Sequence, residues 1–168
     1  MNTYIKFSFL VILLFISACE GPTGPEGTSG MNGTSDKQIR IEFGSFSNST
    51  SDTSWIITLP TIINFNKDYY VGIDSIIFVV NIGSSNLNTN CVVELFNLTD
   101  NLPIQGSTVL TNDTTKFPGF IIGGKWCYSA NIINNLPSKE ITLGARFKSD
   151  NYGNLVNINQ GMLLLYRE

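Results

Sequence analysis

Every second residue of ITLGARFK, numbered 141–148, is apolar, and the residues between them are polar or glycine. Successive side chains of a β-strand point to opposite faces, so this period of two predicts a strand with one buried face. The apolar members are Ile141, Leu143, Ala145 and Phe147. The segment therefore predicts a sheet that covers a hydrophobic core.

Similar patterns lie along the rest of the chain. Apolar residues alternate at 39–43, 55–59 and 91–95, whereas 73–82 is rich in β-branched residues and predicts a strand buried on both faces. A last strand is predicted at 155–166, with Gly161 as its bulge. Clusters of Asn, Ser, Thr and Gly separate the strands at 47–53, 83–90, 112–115, 123–124 and 149–154. After residue 18, no segment of ten or more residues has a helical period.

Short strands separated by such turns are typical of a sandwich or a barrel. Residues 38–168 therefore predict an all-β domain, and about eight antiparallel strands in this length suit a single jelly-roll β-sandwich. The part from Ile76 to Gly106 resembles exported jelly-roll modules, because residues 94–100, ELFNLTD, are similar to their ELYNxTD strand-to-turn segment. Phe96 stands where those modules have Tyr. Modules of this kind are often carbohydrate-binding, so the resemblance implies the fold more than a function.

The N-terminus has the order of an export signal. Lys6 supplies the positive start, 7–16 is a nearly unbroken apolar run, and Ser17 and Ala18 are small. Since a bilayer core needs roughly 20 apolar residues, the run is too short to span it and suits a signal peptide at 1–18. The sequence Ile16-Ser17-Ala18-Cys19 resembles the lipobox of bacterial lipoproteins.

The lipobox resemblance implies that the thiol of Cys19 receives a diacylglycerol group and that cleavage makes Cys19 the first residue. Each buried CH₂ contributes about 0.8 kcal/mol, so two or more chains give a durable membrane anchor. Glu20 follows, whereas the resemblance associates Asp at this position with inner-membrane retention. We therefore expect an exported protein anchored to the outer membrane or the cell surface.

Residues 19–37 form the predicted linker, and glycine occupies every third position from Gly21 to Gly33. This resembles a collagen-like Gly-X-Y repeat, in which only glycine fits at the crowded axis of three chains. Two interpretations stay open: a flexible spacer that lifts the head from the membrane, or a short triple helix that forms because the heads trimerise. By layout alone, stalk plus head resembles the collagen-stalked trimers of complement-type and tumour-necrosis-factor-type proteins.

Composition argues against several classes of function. The net charge is −3 and no cluster of Lys or Arg occurs, so a phosphate-neutralising nucleic-acid surface is not expected. The chain has no His, which removes the usual general base and metal ligand. Nothing singles out a carboxylate pair for glycoside hydrolysis. We expect neither an enzyme nor a bound cofactor or metal.

Aromatic residues are the candidate ligand contacts. Tyr69 and Tyr70 precede a buried strand, and Tyr152 lies in a polar loop, so all three could face a sugar ring. Trp126 and Tyr128 are expected in the core. The aspartates near turns are expected to cap them rather than bind Ca²⁺; they are Asp68, Asp74, Asp100, Asp113 and Asp150.

Cys91 and Cys127 are the remaining cysteines. An exported compartment permits a disulfide between them, which would close a loop of about 35 residues and stabilise the fold by about 3–4 kcal/mol. The alternative is two unpaired, partly buried thiols. It is favoured because Cys91 lies on the apolar face of its strand, whereas Cys127 lies on the face opposite its apolar neighbours. A catalytic cysteine is not expected without a His to activate it.

Two functional hypotheses follow from the sequence. In the first, the head is a binding or adhesion module for glycans or another surface protein. In the second, the heads pack into homotrimers and the protein has a structural or assembly role.

The Cys19→Ser variant tests the anchor. Because serine cannot form the thioether, the variant should leave the membrane fraction and appear in the soluble exported fraction, as measured by detergent phase partitioning. Cys127→Ser is the matched control and should stay with the membranes. Retention of the Cys19→Ser protein in the detergent phase would contradict lipid anchoring.

Overall fold

The computed structural model describes residues 37–58, 60–114 and 124–167, apart from the side chains at 45 and 46. The predicted signal peptide, Cys19 and the Gly-X-Y repeat lie outside the described residues. Asp36–Glu168 form one compact unit. Ten strands occur among the described residues, with the bounds β1 Gln38–Thr50, β2 Ile56–Ile57, β3 Ile62–Phe65, β4 Ser75–Ser84, β5 Cys91–Asn97, β6 Leu102–Pro103, β7 Val109–Thr111, β8 Lys125–Asn131, β9 Ile141–Ser149 and β10 Val156–Tyr166.

The described chain is all-β, apart from two 3₁₀ turns at Lys67–Tyr69 and Ile133–Asn135. The strands form two antiparallel sheets in a sandwich-like arrangement. One sheet has the order β1-β10-β4-β8, and the other has β2-β9-β5-β6, with β3 also beside β9 and β7 also beside β5. β2 and β3 therefore share one neighbour, as do β6 and β7, so each short pair holds the place of a single strand.

The core lies between the two sheets. All four apolar residues of 141–148 are buried in β9, as their alternation predicts. From the other sheet, β4 contributes Phe78 and β10 contributes Leu163, both fully buried. Phe78 also meets Phe43 of β1 edge-to-face, with the ring centroids 6.1 Å apart. Side chains of both sheets thus fill a single apolar layer.

Strand β8 faces the opposite way from the prediction. Val79 of β4 points away from the core and is paired with Tyr128, while inward-facing Val80 is paired with Cys127. Paired residues share a face of a sheet, so Cys127 packs against the core, whereas Tyr128 is 61% exposed and Trp126 is 37% exposed. The placement of both aromatic residues in the core was wrong.

Irregularities in the strands account for other differences from the prediction. β1 continues to Thr50 through part of the predicted 47–53 turn, with register shifts on either side of Ser45 and Gly44 at φ +92°. The bulge of β10 lies at Asn159, between the pairs of Ile158 and Gln160, and not at Gly161.

The prediction of which residues of the 55–59 strand face the core was also wrong. Ile57 is exposed and Thr58 is buried instead, because the Thr58 hydroxyl donates to the carbonyl oxygen of Ala145 at 3.0 Å. Leu59 lies outside the described residues.

The contribution of the core can be measured with a matched pair of leucines. Leu163→Ala should lower the free energy of unfolding by about 2–5 kcal/mol, because it leaves a cavity between the sheets. Leu110→Ala, at an exposed position of β7, should change it by about 0.5 kcal/mol or less. Urea denaturation of residues 36–168 gives both values. Equal losses for the two variants would contradict this assignment of the core.

Candidate functional site

The two ends of the sandwich carry different loops. Gln38 at the start of β1 is paired with Tyr166 at the end of β10, and we call this end the base. At the opposite end β1 finishes at Thr50, paired with Val156. We call this end the tip, and it comprises the loops 51–55, 85–90 and 150–155.

The three tyrosines predicted as ligand contacts do not lie together. Tyr69 and Tyr70 precede β4 and belong to the base, whereas Tyr152 lies in the 150–155 loop of the tip. Tyr70 stacks on Phe65 with the centroids 5.9 Å apart, and it packs against the core. A single platform of all three aromatic rings is therefore excluded.

Tyr69 has a partner at the base. It is 63% exposed, and its hydroxyl donates to Glu140 Oε1 at 2.5 Å. This hydrogen bond raises the pKa of Tyr69, with smaller contributions from burial and from the negative charge of Glu140. Asp100 lies at the same end. The Lys139 ammonium donates to Asp100 Oδ1 at 2.7 Å, and this hydrogen bond lowers the pKa of Asp100. Tyr69 with Glu140, and Asp100 with Lys139, thus already bond to one another.

An Asn–Asp clamp holds two loops of the tip together. The Asp150 carboxylate accepts from Asn90 N at 2.7 Å and from Asn90 Nδ2 at 2.6 Å. In return, the backbone N–H of Asp150 donates to the Asn90 carbonyl at 3.1 Å. Three bonds between one pair of residues fix both loops in position, because the negative charge strengthens two of them.

Further bonds tie in the neighbouring loops. Gly153 N donates to the Ser51 carbonyl at 2.9 Å, and Asn86 Nδ2 donates to Asn154 Oδ1 at 3.3 Å. Asn112 Nδ2 donates to the Leu87 carbonyl at 2.7 Å. The three tip loops and the segment after β7 therefore form one hydrogen-bonded surface.

Two apolar side chains stand on this polar surface. Tyr152 is 78% exposed, and Leu87 of the 85–90 loop is also exposed. The sequence indicated Tyr152 through its polar loop, but it gave no sign of Leu87. The tip thus presents an exposed aromatic ring and an exposed aliphatic side chain among amide and carbonyl groups.

At two of the turns where aspartates were predicted as caps, an asparagine caps the backbone instead. Asn97 Oδ1 accepts from Thr99 N at 3.0 Å and from Asp100 N at 3.1 Å, and Asn66 Oδ1 accepts from Asp68 N at 3.0 Å. The Asp150 carboxylate bonds to a neighbouring loop, at Asn90 N. Within the described ranges, no three side chains of His, Cys, Asp or Glu gather in a way that could hold a metal ion.

A cation–π stack covers the outward face of the six-stranded sheet, and the sequence analysis missed it. The guanidinium of Arg146 lies 4.7 Å from the centroid of Trp55 and 4.2 Å from that of Phe96, and its Nε donates to Glu94 at 2.6 Å. Lys148 Nζ lies 4.9 Å from the same Trp55 ring. Since β9 supplies both cations, the stack holds the chain before β2 against the sheet.

Cys91 and Cys127 are free thiols that belong to different sheets. Burial raises the pKa of Cys91, and nearby Cys127 and Asp150 raise it further. Its Sγ lies 3.5 Å from the Asn157 carbonyl oxygen. Burial also raises the pKa of Cys127, although Lys125 and the Thr111 side chain oppose that shift. Of the two alternatives for this pair, a disulfide or two unpaired thiols, the structure has the unpaired thiols.

Comparison with known proteins adds no relative. A scan against models of protein families finds no match, and a search of the curated proteins finds none. In the part of the chain that the structure describes, no helix has the length and apolar character needed to cross a membrane. The case for a binding surface therefore depends on the geometry of the tip.

Thiol labelling tests the environment of the two cysteines. A raised pKa lowers the thiolate fraction at any pH below it, and only the thiolate reacts. On the folded head at about pH 8, Cys127 should therefore react slowly, and its rate should increase as the pH rises. Cys91 should react only after the head unfolds. Peptide mapping of the labelled protein distinguishes the two. Rapid labelling of Cys91 in the folded protein, or no labelling of either residue without a reductant, would contradict this description.

Proposed function

We propose that this protein is a membrane-anchored surface lipoprotein whose β-sandwich head is a non-catalytic binding or adhesion module with glycans as its ligands. The observation that carries the proposal is that the chain enters the head at one end and the candidate binding surface lies at the other. Chain from the lipobox-like segment enters at Gln38 in the base. The exposed Tyr152 and the bonded loops lie at the opposite end of the sandwich, and their separation from the point of entry supports binding at the tip.

We also propose that the sandwich is a jelly roll. When β2 with β3 and β6 with β7 each count as one position, the order in the first sheet becomes 1-8-3-6 and that in the second becomes 2-7-4-5. Each sheet then alternates strands from early and late in the chain, as two interleaved Greek keys require. The Glu94–Asp100 segment, which resembles exported jelly-roll modules, forms most of β5 and the turn that follows it.

The chemistry of the tip favours a sugar over a charged ligand. An exposed tyrosine offers an aromatic face for the C–H side of a sugar ring, and it has few rotamers to lose on binding. Both oxygens of Asp150 already accept hydrogen bonds from Asn90. Asp52 also accepts a hydrogen bond within its own loop, from Ser54 N. The other polar groups of the three loops are amides, hydroxyls and backbone groups, which exchange hydrogen bonds with sugar hydroxyls.

A structural role is the second candidate, because Tyr128 and Trp126 of β8 form a partly exposed aromatic patch on the outward face of the four-stranded sheet. In this role the heads would assemble through that patch and the chain would be a coat or spacer component. The two functions are compatible, since the patch and the tip are different surfaces.

A glycan array probed with residues 36–168 tests the binding function. We expect retention on a restricted set of glycans, and Tyr152→Ala should weaken binding to them about tenfold, or about 1.4 kcal/mol. Tyr69→Ala is the matched control, because it removes another largely exposed tyrosine, one that lies at the base. An array with no retained glycan, or equal binding by the Tyr152→Ala protein, would contradict the proposal.

A further inference from the structure

Three asparagine side chains form a row of hydrogen bonds across the outward face of the four-stranded sheet. Asn157 Nδ2 donates to Asn159 Oδ1 at 3.1 Å, and Asn159 Nδ2 donates to Asn81 Oδ1 at 2.9 Å. Asn81 Nδ2 in turn donates to the Gly124 carbonyl oxygen at 3.0 Å. We call these three asparagines the amide ladder. Each amide nitrogen has two N–H donors, of which the ladder uses one. The ladder therefore holds neutral groups in fixed orientations that can still bond a ligand.

Two exposed aromatic residues stand beside the amide ladder. Trp126 of β8 is paired with Asn81, and Tyr128 is paired with Val79, which points away from the core. As alternate residues of one strand, both aromatic side chains lie on the outward face, roughly 7 Å apart along the strand. Gln160 of β10 is paired with Asn81 on its other side. Gln160, Asn81 and Trp126 thus form one row across three strands.

This row lies next to the tip. Asn81 comes three residues before Ser84, where β4 ends and the 85–90 loop begins. Asn157 is the second residue of β10 and follows the 150–155 loop. Because a strand rises about 3.3 Å per residue, Asn81 and its row are roughly 10 Å from the tip loops. The tip and this half of the face are therefore continuous.

The groups around the amide ladder are neutral. Among the described side chains on this half of the face, β1 and β10 contribute serine, asparagine and glutamine; they are Ser47, Ser49, Asn157, Asn159 and Gln160. Neutral amides and hydroxyls exchange hydrogen bonds with sugar hydroxyls, and an aromatic ring packs against the C–H side of a sugar. This combination favours a neutral glycan over an ionic ligand.

The same face is less suited to a second copy of the chain. Its half nearer the base is apolar, but Val79 is only 2% exposed because it packs with Met162 and Leu164. The chain's own residues thus already cover that part. The accessible remainder is a pair of aromatic side chains beside amides, which is small for a stable interface between heads.

We propose that the ligand of the head is a neutral glycan chain several units long, and that it runs from the tip onto the outward face of the four-stranded sheet. There Trp126 and Tyr128 contact sugar rings, while Gln160 and the amide ladder bond sugar hydroxyls. The inference rests on the proposed glycan-binding function and deepens it, because a chain fills both surfaces at once whereas a single terminal sugar fills one.

Calorimetric titration of the unlipidated chain from residue 20 tests this inference. The probes are neutral homo-oligosaccharides of glucose, mannose and xylose, from two to about eight units long, and any neutral glycan that the array retains. Affinity should rise at least about tenfold from the shortest chain to the longest, because only the long chain reaches Trp126. Trp126→Ala should remove that rise and leave disaccharide binding unchanged, whereas Tyr152→Ala should weaken binding at both lengths. Leu110→Ala, at an exposed position of the other sheet, is the matched control and should bind every length as the unmodified chain does.

The outcomes separate this inference from the function on which it rests. Binding that does not depend on length, or a Trp126→Ala protein that keeps the full rise, would overturn the inference and leave binding at the tip intact. If none of the probes binds, both proposals are wrong. Circular dichroism and the melting temperature check that each variant is folded.

Hydroxyl-radical footprinting of the unmodified chain gives a second test that needs no substitution. A long oligosaccharide should protect Trp126 and Tyr128, while Tyr69 at the base should stay reactive. Protection of Trp126 before any ligand is added, whether by the chain's own residues or by a second copy, would contradict the proposal. Repeating the footprint at a lower protein concentration distinguishes those two causes.

Discussion

One packing constraint determines the rest of this structure: inward side chains of β4 and β10 must fill the space left by those of β5 and β9. Phe78 and Leu163 from one sheet, and Leu95 and Phe147 from the other, are all fully buried. A slip of one residue in any of these strands would turn its whole apolar set outward, so the core fixes the register. The register in turn fixes which loops meet at the tip and which side chains share the outward faces.

Neutral side chains provide much of the order in the loops. The chain has few charged residues, at 14%, and asparagine frequently does the bonding that ion pairs do elsewhere. Asn90, Asn86 and Asn112 each link one loop of the tip to another segment. The bonds of Asn86 and Asn112 join neutral groups, so they do not titrate and are hardly screened by salt, unlike surface ion pairs. The tip can therefore hold its shape over a wide range of ionic conditions.

The sequence predicted the sandwich-like, all-β class and the alternation of β9, because side-chain period and burial are directly related there. It failed where pairing partners decide the outcome: Tyr128 faces outward because it is paired with outward-facing Val79, and no local pattern reveals that partner. The bulge at Asn159 was missed for the same reason, since register belongs to two strands together. Tyr152 could be chosen from its polar loop, whereas its distance from Tyr69 and Tyr70 required the topology.

The antiparallel pairing of β1 with the long central strand β10 has a mechanical consequence. Gln38 is at one end of this pair and Thr50, next to the tip loops, is at the other. A pull between the start of the domain and an object held at the tip therefore acts along the strands, across hydrogen bonds that lie perpendicular to it. Such a load is shared by many bonds at once instead of opening them one after another. If the tip binds a ligand as proposed, this geometry lets the head resist shear while flow pulls on that ligand.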